Sequence, residues 1–275
     1  METGWTLPER FCAKARDGVT DIYGIILRPS NFDPSRPLPV LDDIYAGPQT
    51  NRAHASFAHM AEGRGTRFWQ AQAHAELGFV VVMIDGLGMP YRWKAYHDVS
   101  FRNLGDGGVE DHIAALRQLA VRYPYMDLER VGIYGHSAGG YSSCHAILAH
   151  PDFFKVAVSS AGNHDHRLDK ASWVERYMGL PVGQHYDEQA NSRLAHNLRG
   201  KLLLIHGEMD ENVHVGSTMQ VVDALIKANR DFDMLILPNR SHACTDDPYF
   251  IRKRWDYFVR HLLGAEPPEG YQIGR

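Results

Sequence analysis

Short runs rich in β-branched residues alternate along the chain with longer stretches whose apolar side chains recur every three to four positions, and that order predicts βαβ units around a largely parallel sheet. Val80-Val81-Val82, inside a predicted strand at 79–84, lacks polar alternation, as expected of a strand covered on both faces, and Asp85-Gly86 closes it. The opening differs. Residues 9–16 and 20–28 flank the turn signal Asp17-Gly18 and predict an antiparallel hairpin at the sheet edge. Further strands are predicted at 39–46, 131–134, 156–160, 201–205 and 232–237, and helices near 66–77, 108–122, 138–149, 216–228 and 248–263. In the second of these helices Val109, Ile113, Leu116 and Ala120 fall on one face.

No internal repeat, low-complexity tract or linker interrupts this order, so residues 1–275 are read as one domain, and 275 residues with 44% apolar content suffice for its core. The stretch 163–199 is long for a plain connection. It is expected to form a cap-like insertion with its own helices that roofs the site. Lys plus Arg number 29 against 33 Asp plus Glu, a net charge of -4, which supplies neither a basic field for nucleic acid nor a polybasic membrane signal. The expected partner is a small molecule or short peptide, and self-association is left open. Cys12, Cys144 and Cys244 are too few and too scattered for a disulfide framework and are read as free thiols. The start, METGWTLPERF, holds no signal peptide or membrane span within these residues, and Met1-Glu2-Thr3 equally suits the start of a domain cut from a longer parent. Among sixteen histidines, His164-Asp165-His166 looks like a metal site, but no third ligand stands at helical or hairpin spacing, so it is read as a solvated loop or pocket wall; no cofactor or metal is expected.

Gly135-His136-Ser137-Ala138-Gly139 fits G-x-S-x-G and sits between a predicted strand and a predicted helix, the context that gives the pattern meaning. The turn lifts the Ser137 hydroxyl above the sheet and aims the Ala138 amide at the oxyanion that forms on an attacked carbonyl. A serine hydroxyl needs an imidazole to take its proton, and the imidazole needs a carboxylate to fix its tautomer. Both follow in the chain order of an α/β-hydrolase. One strand runs into His206-Gly207-Glu208-Met209-Asp210, and the next ends before Ser241-His242. His242 is the candidate base. Asp210 is preferred to Glu208 because it lies deeper in the loop, with a helix cap as its plain alternative. Tyr45, beyond the strand at 39–46, is the candidate second oxyanion donor, the alternative being an aromatic packed at a strand end. The fold class is therefore α/β, an α/β-hydrolase fold with a mostly parallel central sheet, helices on both faces and an antiparallel N-terminal hairpin.

Several longer segments are similar to the catalytic domain of the prolyl oligopeptidase family, in its bacterial dipeptidyl peptidase IV-like branch: YAGP at 45–48, DGLG at 85–88, GGVEDHIAALRQL at 107–119, GHSAGGY at 135–141, ERYMGLP at 175–181 and HGEMDENVH at 206–214. The resemblance spans nearly the whole chain. It implies Ser137 as nucleophile, His242 and Asp210 as its partners, Asp210 over Glu211 as the acid, and Tyr45 with the Ala138 amide as the oxyanion hole. It also implies that Asn212 contacts the substrate backbone and that Val213 lines the pocket for the residue at the cleaved bond. An N-cap for the following helix explains Asn212 equally well. Where the family walls a proline-sized pocket with aromatics, this chain offers Ala138, Asn163, His166, Asp169 and Trp173, and only Trp173 keeps an aromatic, so a larger or more polar pocket is expected. DGLG replaces the usual DGRG, and Ala243 replaces the glycine after the histidine. The family's β-propeller has no counterpart in these residues, which therefore read either as an excised domain or as a stand-alone hydrolase with an open site.

Three functions compete at this level. Hydrolysis of peptide bonds near an N-terminus through an acyl-enzyme leads. A carboxylesterase would use the same machinery on an easier leaving group. A silent binding domain on a hydrolase fold is the third, and the complete triad speaks against it.

Overall fold

The tripeptide Val80-Val81-Val82 explains the layering of the computed structural model, which describes residues 4–53 and 66–274. Successive side chains of a strand point to opposite faces. Val80, Val82 and Ile84 accordingly join one buried cluster, and Val81 and Met83 the other. A strand apolar on every residue must be covered twice, and it is.

The strands are β1 (Glu9–Lys14), β2 (Asp21–Leu27), β3 (Leu38–Asp43), β4 (Val80–Asp85), β5 (Met126–His136), β6 (Phe154–Ser160), β7 (Lys201–Gly207) and β8 (Asp233–Leu237). They form one sheet in the order β1-β2-β4-β3-β5-β6-β7-β8. The β1–β2 and β2–β4 pairs are antiparallel, and every pair from β4–β3 to β7–β8 is parallel. The helices are α1 (Thr66–Glu76), α2 (Lys94–His97), α3 (Val109–Arg122), α4 (Ala138–Ala149), α5 (Ala171–Met178), α6 (Gln184–Glu188), α7 (Gly216–Lys227) and α8 (Pro248–Phe258). Apolar residues of α3, α4 and α7 fill one face, and those of α1 and α8 fill the other. No helix among the described residues is long and apolar enough to cross a membrane.

Two differences from the expected elements have physical causes. β3 stops at Asp43 instead of 46, because its polar end is tied down sideways: Asp42 meets His112 Nδ1 at 2.7 Å, and Asp43 binds Arg52 and the Tyr134 hydroxyl. β5 begins five residues before Val131, because Met126 and Asp127 pair with Leu38 and Pro39 ahead of a register shift. The last predicted helix ends as α8 at Phe258 and continues in a π turn over Val259–Leu263.

The stretch between β6 and β7 holds a 3-10 turn at His166–Leu168, then α5, α6 and a 3-10 segment at Asn191–Asn197. Leu104, Tyr141, Val174, Tyr177, Met178 and Tyr186 form a small core of their own there. His164, Asp165 and His166 are buried, so of the two expected readings, a solvated loop or a pocket wall, the solvated loop is corrected. Asn191 Nδ2 lies 2.9 Å from His164 Nδ1 and Arg167 binds Asp165, whereas Nε2 of His164 and of His166 is buried with no hydrogen-bond partner among the described residues.

Candidate active site

Ser137 stands between β5 and α4 at φ +61° and ψ −123°, a conformation that L side chains rarely adopt. Its neighbours explain how the chain tolerates it. A Cβ at Gly135 would collide with the backbone of Gly139, and one at Gly139 would collide with the carbonyl of Ile44 at the end of β3. The turn is therefore pressed against the adjacent strand end as closely as backbone allows. Ser137 N–H donates to Ser160 O at 2.9 Å, and Tyr141 N–H closes the first turn on Ser137 O at 3.0 Å. Ala138 opens α4, where amides have no intrahelical acceptor. Ala46 and Ala161, just beyond β3 and β6, share the positive φ of Ser137, so backbone strain gathers where three neighbouring strands end.

Asp210 and His242 are brought together by the loops after β7 and β8, which are laced by Glu208 N–H to Leu237 O and Met209 N–H to Arg240 O, both at 3.0 Å. His242 Nδ1 lies 2.7 Å from Asp210 Oδ2. Among the described residues Glu208 accepts from the Asn239 amide and Glu211 from the His242 amide, and of the three acids it is Asp210 that meets the ring. The other Asp210 oxygen accepts from Asn212 N–H at 2.9 Å and Val213 N–H at 2.7 Å. Burial alone would push this carboxyl's pKa up, but hydrogen bonds from His206 and His242 and the Val213 amide outweigh it and hold the group well below the carboxylate range. An ionised carboxylate can only accept. His242 Nδ1 must then carry the proton, and in the neutral ring Nε2 is left as the base.

The imidazole ring lies against His136, with centroids 4.7 Å apart, one residue before Ser137. Among the described residues the Ser137 hydroxyl makes no hydrogen bond, and such contacts commonly close only when substrate is bound. His206, unassigned in the sequence reading, lies with its Nε2 3.2 Å from Asp210 Oδ2 and 2.9 Å from Val213 O, while its Nδ1 meets Thr218 Oγ1 at 2.8 Å. Its place four residues before the acid, inside HGEMDENVH, was the available signal.

Tyr45 sits on a loop held at several points: Ile44 N–H to Tyr134 O at 3.0 Å, His97 Nε2 to Pro48 O at 2.8 Å, and Arg52 to Asp43. Asn212 lies four residues ahead of α7, whose N-cap is Val215, so it does not cap that helix. Val213 is buried, with its amide on Asp210 and its carbonyl on His206. Asn163 and His166 are buried, and Asn163 Nδ2 reaches Asp169 at 3.0 Å and His166 Nδ1 at 3.3 Å. Half-buried Trp173 belongs to a chain of rings running Tyr141, His166, Trp173, Tyr177 at centroid distances of 4.5, 6.3 and 5.1 Å. Tyr141 and Tyr177 thus supply aromatic surface beyond the expected Trp173. Each stands four residues after a residue already singled out, Ser137 or Trp173, which is one helical turn.

The sheet order, the strained serine between strand and helix, and an acid and a histidine beyond the next strand ends define an α/β hydrolase. A model of the prolyl oligopeptidase family matches residues 65–265, and the chain belongs to that family. It is 32% identical to human dipeptidyl peptidase 8 over 264 residues, 94% of this chain and 28% of the relative, and 29% identical to mouse prolyl endopeptidase FAP over 86% of this chain and 31% of that protein. The chain thus spans under a third of the length of these curated relatives. The crystal structure of Porphyromonas gingivalis dipeptidyl peptidase 4 superposes with a TM-score of 0.80 at 28% identity, covering 94% of this chain and 36% of that one.

Proposed function

We propose that the chain is a serine peptidase domain that cleaves peptide bonds near the N-terminus of short peptides through an acyl-enzyme on Ser137. The observation that carries this is the 2.7 Å bond between His242 Nδ1 and the ionised Asp210, with the ring packed beside the residue that precedes Ser137. His242 Nε2 takes the hydroxyl proton as Oγ attacks the carbonyl carbon, and returns it to the leaving amine. Tyr45 and the Ala138 amide hold the oxyanion. The relatives compared above are named as dipeptidyl peptidases and a prolyl endopeptidase, which supports the peptide substrate.

On this reading residues 1–275 act as one catalytic domain, and 163–199 roof the site. Asn212 meets the substrate backbone, and Val213, Asn163, His166 and Trp173 shape the pocket at the cleaved bond. Burial drives His166 down to a pKa of about 3, so the wall presents a neutral ring and an amide among aromatics. A panel of Xaa-Pro, Xaa-Ala and aminoacyl amides, run beside short esters, tests the proposal. Cleavage of at least one amide, lost in Ser137→Ala, is expected. Ester turnover with no amide cleaved would overturn it in favour of a carboxylesterase, and wild-type turnover in Ser137→Ala would overturn the nucleophile.

A further inference from the structure

Gln49 lies on the loop that carries Tyr45, and its side-chain amide is engaged at both ends. Oε1 accepts from the indole N–H of Trp173 at 3.1 Å, and Nε2 lies 3.0 Å from the Tyr45 hydroxyl oxygen. The two contacts constrain each other. An indole nitrogen can only donate, so Trp173 settles which end of the amide is its oxygen. The NH2 end then faces the phenol, and it too can only donate. In this bond the Tyr45 oxygen is therefore the acceptor, and the hydroxyl proton is directed away from Gln49.

Gly47 clears the space for the pair. A Cβ there would stand 2.5 Å from Tyr45 Cε1 and 2.8 and 2.9 Å from Gln49 Oε1 and Nε2, so ring and amide lie together against the bare Gly47 backbone.

We propose that Gln49 is a positioning residue that makes Tyr45 a donor toward the acyl oxyanion, with Trp173 on the pocket wall fixing the polarity of the chain Trp173–Gln49–Tyr45. The inference rests on the reading of Tyr45 as an oxyanion donor. In the step concerned, the Ser137 Oγ to carbonyl carbon bond forms, the hydroxyl proton passes to His242 Nε2, and the carbonyl π pair moves onto oxygen. Tyr45 meets that oxygen with its O–H and keeps its proton. Accepting a hydrogen bond from an amide also polarises the phenol and strengthens it as a donor.

Gln49→Glu separates polarity from shape. A carboxylate still accepts from Trp173, but it forces Tyr45 to donate to it, turning the proton away from the substrate. The readout is the acylation burst with p-nitrophenyl acetate, which draws on the triad and the oxyanion hole but makes little demand on the rest of the pocket. Gln49 is exposed, and all variants are expected to unfold at the wild-type temperature. Gln49→Glu should slow acylation about 10²-fold or more, as far as Tyr45→Phe does. The double variant should be no slower than Tyr45→Phe alone. A wild-type rate in Gln49→Glu overturns the proposal, and so does an equal fractional loss in both Tyr45 backgrounds, because a charge acting through space survives removal of the phenol. A wild-type rate in Tyr45→Phe would instead remove the oxyanion role of Tyr45, and this proposal with it.

Discussion

Asp210 spends one oxygen on two imidazoles and the other on two backbone amides, so its charge and its position are fixed by the same four contacts. The depressed pKa means that any acid limb of activity does not come from this carboxyl. Asp210→Asn retains an oxygen for the amides but brings an NH2 to the imidazoles, where it favours the wrong tautomer. We expect the variant to fold with a nearly unchanged melting temperature and to lose about 10⁴ in kcat, as wrong-tautomer triads do. Loss of only a few fold would mean that Asp210 does not orient the base. His206 escaped the sequence reading because a residue four places before an acid in a loop carries no periodic signal. Its importance comes from the turn that folds it back onto Asp210.

The connection between β6 and β7 has a titration behaviour of its own. Burial pushes His164 and His166 down to about 3 from an ordinary value of 6.5. The unfolded chain protonates these rings below about pH 6.5, while the folded chain holds them neutral until far lower, so the unfolded state binds more protons in that window. Stability must then fall as pH is lowered from 6.5 toward 3, by up to roughly 1.4 kcal/mol per pH unit for each such ring. His166→Phe keeps a ring beside Tyr141 and removes one titrating group. Urea midpoints compared between pH 7 and pH 5 should show a shallower decline in this variant than in wild type, and an unchanged decline would sink the assignment.

Across the molecule, what was legible in the sequence is what a period can encode. The unbroken apolar run of β4 and the helical spacing on α3 announced a sheet covered on both faces, and G-x-S-x-G placed Ser137 because strand and helix flanked it. What stayed hidden depends on partners far apart in sequence. The end of β3 is set by Arg52, His112 and Tyr134, the early start of β5 by pairing with Leu38, and the orientation of Gln49 by Trp173, 124 residues away. None of these leaves a mark on its own segment.

The turn at Ser137 gives a last consequence for durability. Every folded copy carries tension at that Cα, which the unfolded chain does not share, and a glycine would hold the same angles at ease. Ser137→Gly should therefore lack turnover yet resist urea better than the parent, by about 1 kcal/mol. Equal or lower resistance would show the corner to be slack. If it is taut, this protein gives up some lifetime so that one oxygen can stand where it does.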